Sequence, residues 1–273
     1  MSRRPPAGLP VRAKKSLGQH FIHDEALLNA LVDLTPAGAE DAVFEIGPGL
    51  GSLTRVLAAR CRRVTALEVD SDLIPGLNVM FSDSPHVNIV QGDVMTVDLQ
   101  GLLAPLGPLH VIANLPYYIT TPILNLLLRV DLPLQSICVT VQREAAARVM
   151  AKPSTPEYGP LAVLAQYKTT PQVVRVIPRG SFQPSPNVES VFMVMPFREA
   201  PPVMVPDEAL FFRLVSAAFQ MRRKTLLNNL MPAFQLSREQ AEAALARAGL
   251  PANVRGEALS LAEFAQLSRA LAT

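Results

Sequence analysis

Short apolar runs recur through the first two thirds of the chain. Val43 to Ile46, Val64 to Val69, Val87 to Val90, His110 to Ala113 and Ile137 to Val141 read as buried strands. Stretches of helical spacing separate them. Leu27, Leu28, Leu31 and Leu34 follow a candidate N-cap at Asp24 and stop at Thr35-Pro36. Leu53, Val56 and Leu57 mark a helix over 52–59, Ser71 is placed to cap another, and Thr121-Pro122 opens one carrying Ile123, Leu124, Leu127 and Leu128. A further helix is expected from about Arg143 to Met150, then a loop over 152–160. The strands at 173–177 and 190–195 have no full crossover helix between them and so predict an antiparallel pair. The alternation predicts an α/β class: a Rossmann-like, mostly parallel sheet with helices on both faces and an antiparallel last strand.

Pro196 to Pro206 holds four prolines and breaks this pattern. Beyond it every periodic segment is helical, with capping-box spacing at Ser237 to Gln240 and Ser260 to Glu263 and a C-cap glycine at Gly249. The expected organisation is a basic, disordered arm over 1–13, a sheet domain over 14–198 and a small all-helical domain over 199–273.

Composition removes several classes of function. At 273 residues and 49% hydrophobic content the chain can bury a large core. It has no apolar run long enough for a membrane span and no signal-peptide pattern at its start, so a cytoplasmic protein is expected. Cys61 and Cys138 stand apart in apolar surroundings, which suggests neither a disulfide framework nor a metal site. A net charge of +2 says little about partners, so local patches matter more. Arg222-Arg223-Lys224 reads either as a solvated basic face or as a clamp for RNA phosphates.

The chemistry concentrates at the ends of the predicted strands. Glu45 to Gly51 joins the first strand to its helix, with glycines at 47, 49 and 51 that let a ligand lie against the backbone. A dinucleotide loop has a similar form, but the acidic residues separate the two readings. Glu45 precedes the glycines, where a carboxylate suits a cation. Glu68 ends the second strand, where it can accept ribose hydroxyls, and Asp93 follows the third, where it can meet an adenine amine. S-adenosylmethionine, with a ribose, an adenine, an ammonium and a sulfonium but no phosphate, fits three carboxylates better than NAD does. Asn114-Leu115-Pro116-Tyr117 ends the fourth strand. Its side-chain amide and a backbone carbonyl can accept the two hydrogens of an exocyclic amine, while the tyrosine stacks on the base. Taken alone, the tetrapeptide also fits a strand that ends in an Asn-Pro turn.

Together these motifs, with Leu17 to Phe21, Phe182 to Val188 and Phe219 to Thr225, resemble those of the small-subunit ribosomal RNA adenine N6-dimethyltransferase family over nearly the whole chain. The resemblance implies that 14–198 binds S-adenosylmethionine through Gln19, His20, Ile22, Glu45, Gly47, Gly49, Glu68, Asp93, Val94 and Asn114. It implies that Asn114, Leu115, Pro116, Tyr117 and Phe182 hold the target adenine, and that the helical domain with Arg222, Arg223 and Lys224 meets rRNA in an immature ribosomal subunit. A monomer without metal is expected. His20 and Tyr118 depart from the family pattern, in which Asn is commoner at both places. The alternatives are a large-subunit rRNA adenine methyltransferase of the macrolide-resistance type, a ribosome-assembly factor with minor catalytic activity and, last, an NAD-dependent oxidoreductase.

Overall fold

A computed structural model describes residues 19–272, so the basic arm expected at 1–13 lies outside the described residues. The described residues divide into two compact units: those up to 146 with 171–197, and 147–170 with those from 198 on.

The first unit holds the strands. In chain order it contains β1 (Phe21–Ile22), α1 (Glu25–Val32), β2 (Ala42–Ile46), α2 (Ser52–Ala58), β3 (Arg63–Glu68), α3 (Ile74–Met80), β4 (Val87–Gln91), α4 (Leu99–Leu103), β5 (Leu109–Asn114), α5 (Thr120–Leu127) and β6 (Leu134–Gln142). Helix α6 (Arg143–Val149) leads out of it and α7 (Pro160–Lys168) belongs to the second unit. The chain then returns for β7 (Gln172–Ile177), β8 (Phe182–Gln183) and β9 (Ser190–Pro196). The main sheet has the order β4-β3-β2-β5-β6-β9-β7. Its first five strands are parallel, and β9 runs antiparallel to both β6 and β7.

Strands β2 and β5 are buried along almost their whole length, which is why they read as continuous apolar runs and not as alternating ones. Leu28 and Leu31 of α1 and Val56 and Leu57 of α2 close over Val43 and Ile112. Each such side chain contributes about 1.5–3 kcal/mol of burial. Strand order reverses where β2 meets β5, so the C-terminal ends of these two strands open a crevice. Glycines follow one strand and the Asn114 tetrapeptide follows the other.

Some local expectations shift. Helix α1 ends at Val32, leaving Leu34 41% exposed beyond it. Ser71 does not cap α3, which starts at Ile74 with no side-chain cap and has a proline in its first turn. Helix α5 begins at Thr120, so Pro122 falls at its third residue, still within the turn whose N–H groups have no intrahelical partner. The two-residue strands β1 and β8 pair antiparallel, Phe21 opposite Gln183 and Ile22 opposite Phe182.

The second unit is helical: α7 with α8 (Glu208–Ala218), α9 (Leu226–Phe234), α10 (Arg238–Arg247) and α11 (Leu261–Ala272). The sheet domain expected over 14–198 is therefore interrupted, because residues 147–170 fall in this unit. Ala162, Val163 and Tyr167 of α7 share one core with Phe211, Leu214, Leu230, Leu245 and Phe264. The capping box at Ser237 forms with both reciprocal hydrogen bonds. None of the described helices is long and apolar enough to cross a membrane.

Candidate active site

The crevice is an open cavity within the first unit. Of the residues singled out from sequence, Gln19, His20, Gly47, Gly49, Glu68, Asp93, Val94, Asn114, Leu115, Pro116 and Tyr117 line it. Ile22, Glu45 and Phe182 do not.

Two glycines shape the floor. Gly47 has φ +70, and a Cβ there would meet nothing within 4 Å, so a side chain would project into the open space. Gly49 has φ +57, and its Cβ would fall 2.5 Å from the Phe21 ring. Only glycine satisfies both the backbone angle and that approach. The Gly49 N–H donates to Glu68 Oε2 and the Asp70 N–H to Oε1, both at 2.9 Å. Each carboxylate oxygen keeps lone pairs beyond these bonds, so Glu68 can still accept a pair of hydroxyls. Burial raises the Glu68 pKa, opposed chiefly by those backbone N–H groups. Asp93 Oδ1 accepts from the Met95 N–H, and its side chain reaches the cavity wall.

Glu45 departs from the sequence reading. It is 1% exposed and lies behind the cavity wall, and its Oε2 is buried without a hydrogen-bond partner. Burial pushes its carboxyl up to about 8, partly offset by the nearby Thr54 hydroxyl and reinforced by Glu68. The Thr54 hydroxyl itself is buried and makes no hydrogen bond of good geometry. An acid in these surroundings is largely neutral near pH 7. The carboxylate expected to meet a cation is thus a protonated group until something nearby favours its charge.

The tetrapeptide is held from three sides. Asn114 Nδ2 donates to the backbone carbonyl of His20 at 2.7 Å, while Asn114 Oδ1 is buried with no partner. The Leu115 N–H is fixed on the Thr140 carbonyl at 3.1 Å. No donor among the described residues engages the Leu115 carbonyl. Tyr117 anchors its hydroxyl to Ser190 Oγ at 2.6 Å, and its ring stacks on His20 with centroids 5.1 Å apart and planes at 22°. His20 Nδ1 lies 2.7 Å from the Pro184 carbonyl. The segment at 19–22, the tetrapeptide and the loop after β8 therefore form one connected cluster. Two acceptors stand unpartnered in it beside an aromatic ring, the pair of acceptors that an exocyclic amine on a planar base requires.

Phe182 corrects another expectation. Its ring is 4% exposed and belongs to the core with Ile22 and Ile177, so it presents no stacking face to the cavity. Ile22 is buried beside it for the same reason, since β1 and β8 turn both residues inward as a pair. In the second unit Arg222 is engaged by Glu257 and by the Pro156 carbonyl. Arg223 and Lys224 are exposed and make no ion pair among the described residues. The residues missed from sequence are mainly apolar ones on the wall, Phe21, Ile46, Leu67, Val69, Ile119 and Ile123, with Gly92 and Tyr118. Phe21, Ile46, Leu67 and Val69 adjoin the motifs, and adjacency was the available signal.

The sequence profile described as ribosomal RNA adenine dimethylase matches residues 11–273, nearly the entire chain. The chain belongs to the ribosomal RNA adenine dimethylase family. Two relatives, both called ribosomal RNA small subunit methyltransferase A, agree with this. The one from Geobacillus thermodenitrificans is 44% identical over 94% of this chain and 90% of its own length. The one from Streptococcus gordonii is 45% identical over 94% and 91%. Among solved structures, the 23S rRNA methyltransferase ErmE matches with a TM-score of 0.69 at 25% identity, covering 93% of this chain and all of its own. A dimethyladenosine transferase from Plasmodium falciparum matches with a TM-score of 0.76 at 19% identity over 91% and 96%, a likeness of fold. The family is one of rRNA-modifying enzymes, and the two unpartnered acceptors fit a dimethylase that must hold an adenine amine. Among the described residues no group of three or more His, Cys, Asp or Glu is placed to hold a metal ion.

Proposed function

We propose that this dimethylase transfers methyl groups from S-adenosylmethionine to the N6 amines of adenines, two adjacent ones, near the 3′ end of small-subunit rRNA. Its substrate is an immature ribosomal subunit, and it acts in the cytoplasm as a monomer without metal. The observation that carries this reading is the Asn114 amide, whose nitrogen is committed to His20 and whose oxygen has no partner.

The cavity residues fit S-adenosylmethionine. Glu68 has lone pairs for the ribose hydroxyls, Asp93 can accept the adenine amine, and Gly47 and Gly49 leave room for the backbone to approach. When bound, the cofactor supplies an electrophilic methyl group. The chain's own residues then act on the target base. An aromatic amine is a weak nucleophile because its lone pair is delocalised into the ring. Asn114 Oδ1 and the Leu115 carbonyl would accept its two hydrogens, favouring a pyramidal nitrogen whose lone pair is localised and available to the methyl group that the cofactor would supply. Positioning supplies much of the rate, and no strong base is needed before attack. Tyr117 stacks on the base and offsets part of the few kcal/mol needed to unstack it from RNA.

The relatives' names favour the small subunit over the large, and their 44–45% identity exceeds the 25% to ErmE. The ErmE likeness keeps a large-subunit reading as the rival. One assay decides: labelled methyl transfer to unmethylated small subunits, to large-subunit rRNA and to no RNA, with dimethyladenosine scored by mass. Small subunits are expected to accept label while large-subunit rRNA does not. The reverse pattern overturns the assignment, and no transfer to either leaves an assembly role as the better account.

A further inference from the structure

The chain has fifteen aromatic residues, eleven Phe and four Tyr. All lie within the described residues, and all but one are buried or half-buried. The exception is Tyr118, which is 59% exposed. It also lines the cavity and follows Tyr117 directly. Both rings sit on one short 3₁₀ turn, Tyr117–Ile119, in which successive side chains point about 120° apart. Tyr117 thus turns inward to Ser190 and His20, and Tyr118 turns out to solvent. Among the described residues no hydrogen bond or ring contact engages Tyr118. Val69, on the wall after β3, is another apolar side chain of the cavity left 47% exposed.

Exposing a tyrosine ring gains nothing for the fold, whereas every other aromatic in this protein contributes to packing. An open ring beside a cavity for an extruded base is suited to one kind of ligand, a second unpaired base. We infer that Tyr118 is a stacking platform for the nucleotide next to the target adenine, a site that rests on the transfer reaction proposed above. The target base enters against Tyr117, and its neighbour along the strand lies on the outer ring. The platform reads a π-face, so it selects unpaired RNA over duplex RNA without selecting a base.

The test compares full-length Tyr118→Ala, Tyr118→Leu, Tyr118→Phe and Tyr118→Trp with the parent enzyme. It measures kcat/KM on unmethylated small subunits, the Kd for S-adenosylmethionine by calorimetry, and the Tm. The Ala and Leu variants are expected to lose about five- to a hundredfold in kcat/KM, as one lost base stack implies. Phe and Trp should stay within about twofold, because only the ring face is used. The Kd and Tm should hold in all four, since the side chain supports neither cofactor nor core. Retention of full kcat/KM by Leu overturns the inference, as does an equal loss in Phe and Ala. A parent enzyme that transfers no methyl to either subunit overturns the transfer reading itself, and this inference with it.

Discussion

Asn114 and His20 lie 94 positions apart in sequence, and the side-chain amide of the first donates to the backbone carbonyl of the second at 2.7 Å. That bond fixes which end of the amide faces the site, because the nitrogen has its acceptor and the oxygen has no donor. Asn114→Asp replaces the donating end with an oxygen and sets two acceptors against each other. A loss of at least a hundredfold in kcat is expected, with cofactor Kd changed by less than about tenfold. His20→Ala keeps the carbonyl and should cost only about tenfold. Equal losses in the two variants would show that the carbonyl is not what orients Asn114.

Tyr117 has two separable parts. Its hydroxyl bonds Ser190, which is fully buried, and its ring is stacked on His20. Tyr117→Phe leaves the Ser190 hydroxyl without this partner, a cost of about 1–3 kcal/mol that should appear as a Tm lowered by several degrees. The ring stays, so kcat/KM should hold within about tenfold. Tyr117→Ala removes the stacking face and should lose a hundredfold or more. If Phe loses as much activity as Ala, the hydroxyl matters to chemistry and not only to the fold.

Strands β2, β3, β5 and β6 were legible because buried parallel strands are continuous apolar runs, and the glycine and Asn114 motifs were legible because each ends one of them. Helix α7 was not, for a physical reason: Leu161 to Ala165 and Tyr167 are all buried, so the helix has no polar face and no 3.6-residue signal. Without it the domain boundary looked like a single point near 198. The pairing of β1 with β8 spans two residues and has no periodicity to read. Phe182 between prolines looks the same in sequence whether it stacks on a ligand or closes a core, and only its burial separates the two. The charge state of Glu45 likewise depends on what surrounds it, which lies in distant segments.

Arg222 makes contacts within the helical unit, whereas Arg223 and Lys224 are exposed and make no ion pair among the described residues. The turn that follows α8 is fixed from within by Asn229, which accepts from the Met221 N–H and donates to the Ala218 carbonyl. Arg222 adds its contacts to Glu257 and Pro156. Arg223→Glu with Lys224→Glu should weaken binding to small subunits and reduce the salt slope by about 1.4, the value for two phosphates of unpaired RNA, with Tm unchanged. Arg222→Ala should lower Tm and change the slope less. Identical salt slopes for the double variant and the parent enzyme would remove Arg223 and Lys224 from the RNA surface.

Glu45 gives the protein a pH dependence whose sign is fixed. Its carboxyl sits near 8 in the folded chain against an ordinary value of 4.5. Between those values the folded state holds a proton that the unfolded state has released, so stability is full below about pH 4.5 and falls as pH rises towards 8. One group contributes at most about 1.4 kcal/mol per pH unit across that window. Glu68 is raised in the same direction and adds to the slope. Urea unfolding of the cofactor-free protein at pH 5.5 and 8.0 should therefore show a smaller loss for Glu45→Gln than for the parent, since glutamine cannot titrate. A cationic ligand in the adjoining cavity favours the carboxylate, so cofactor binding at pH 7 should release part of a proton, read by calorimetry in two buffers of different ionisation enthalpy. Glu45→Gln should release less. Parallel stability profiles together with equal proton release in the two proteins would mean that Glu45 is already ionised in the empty site.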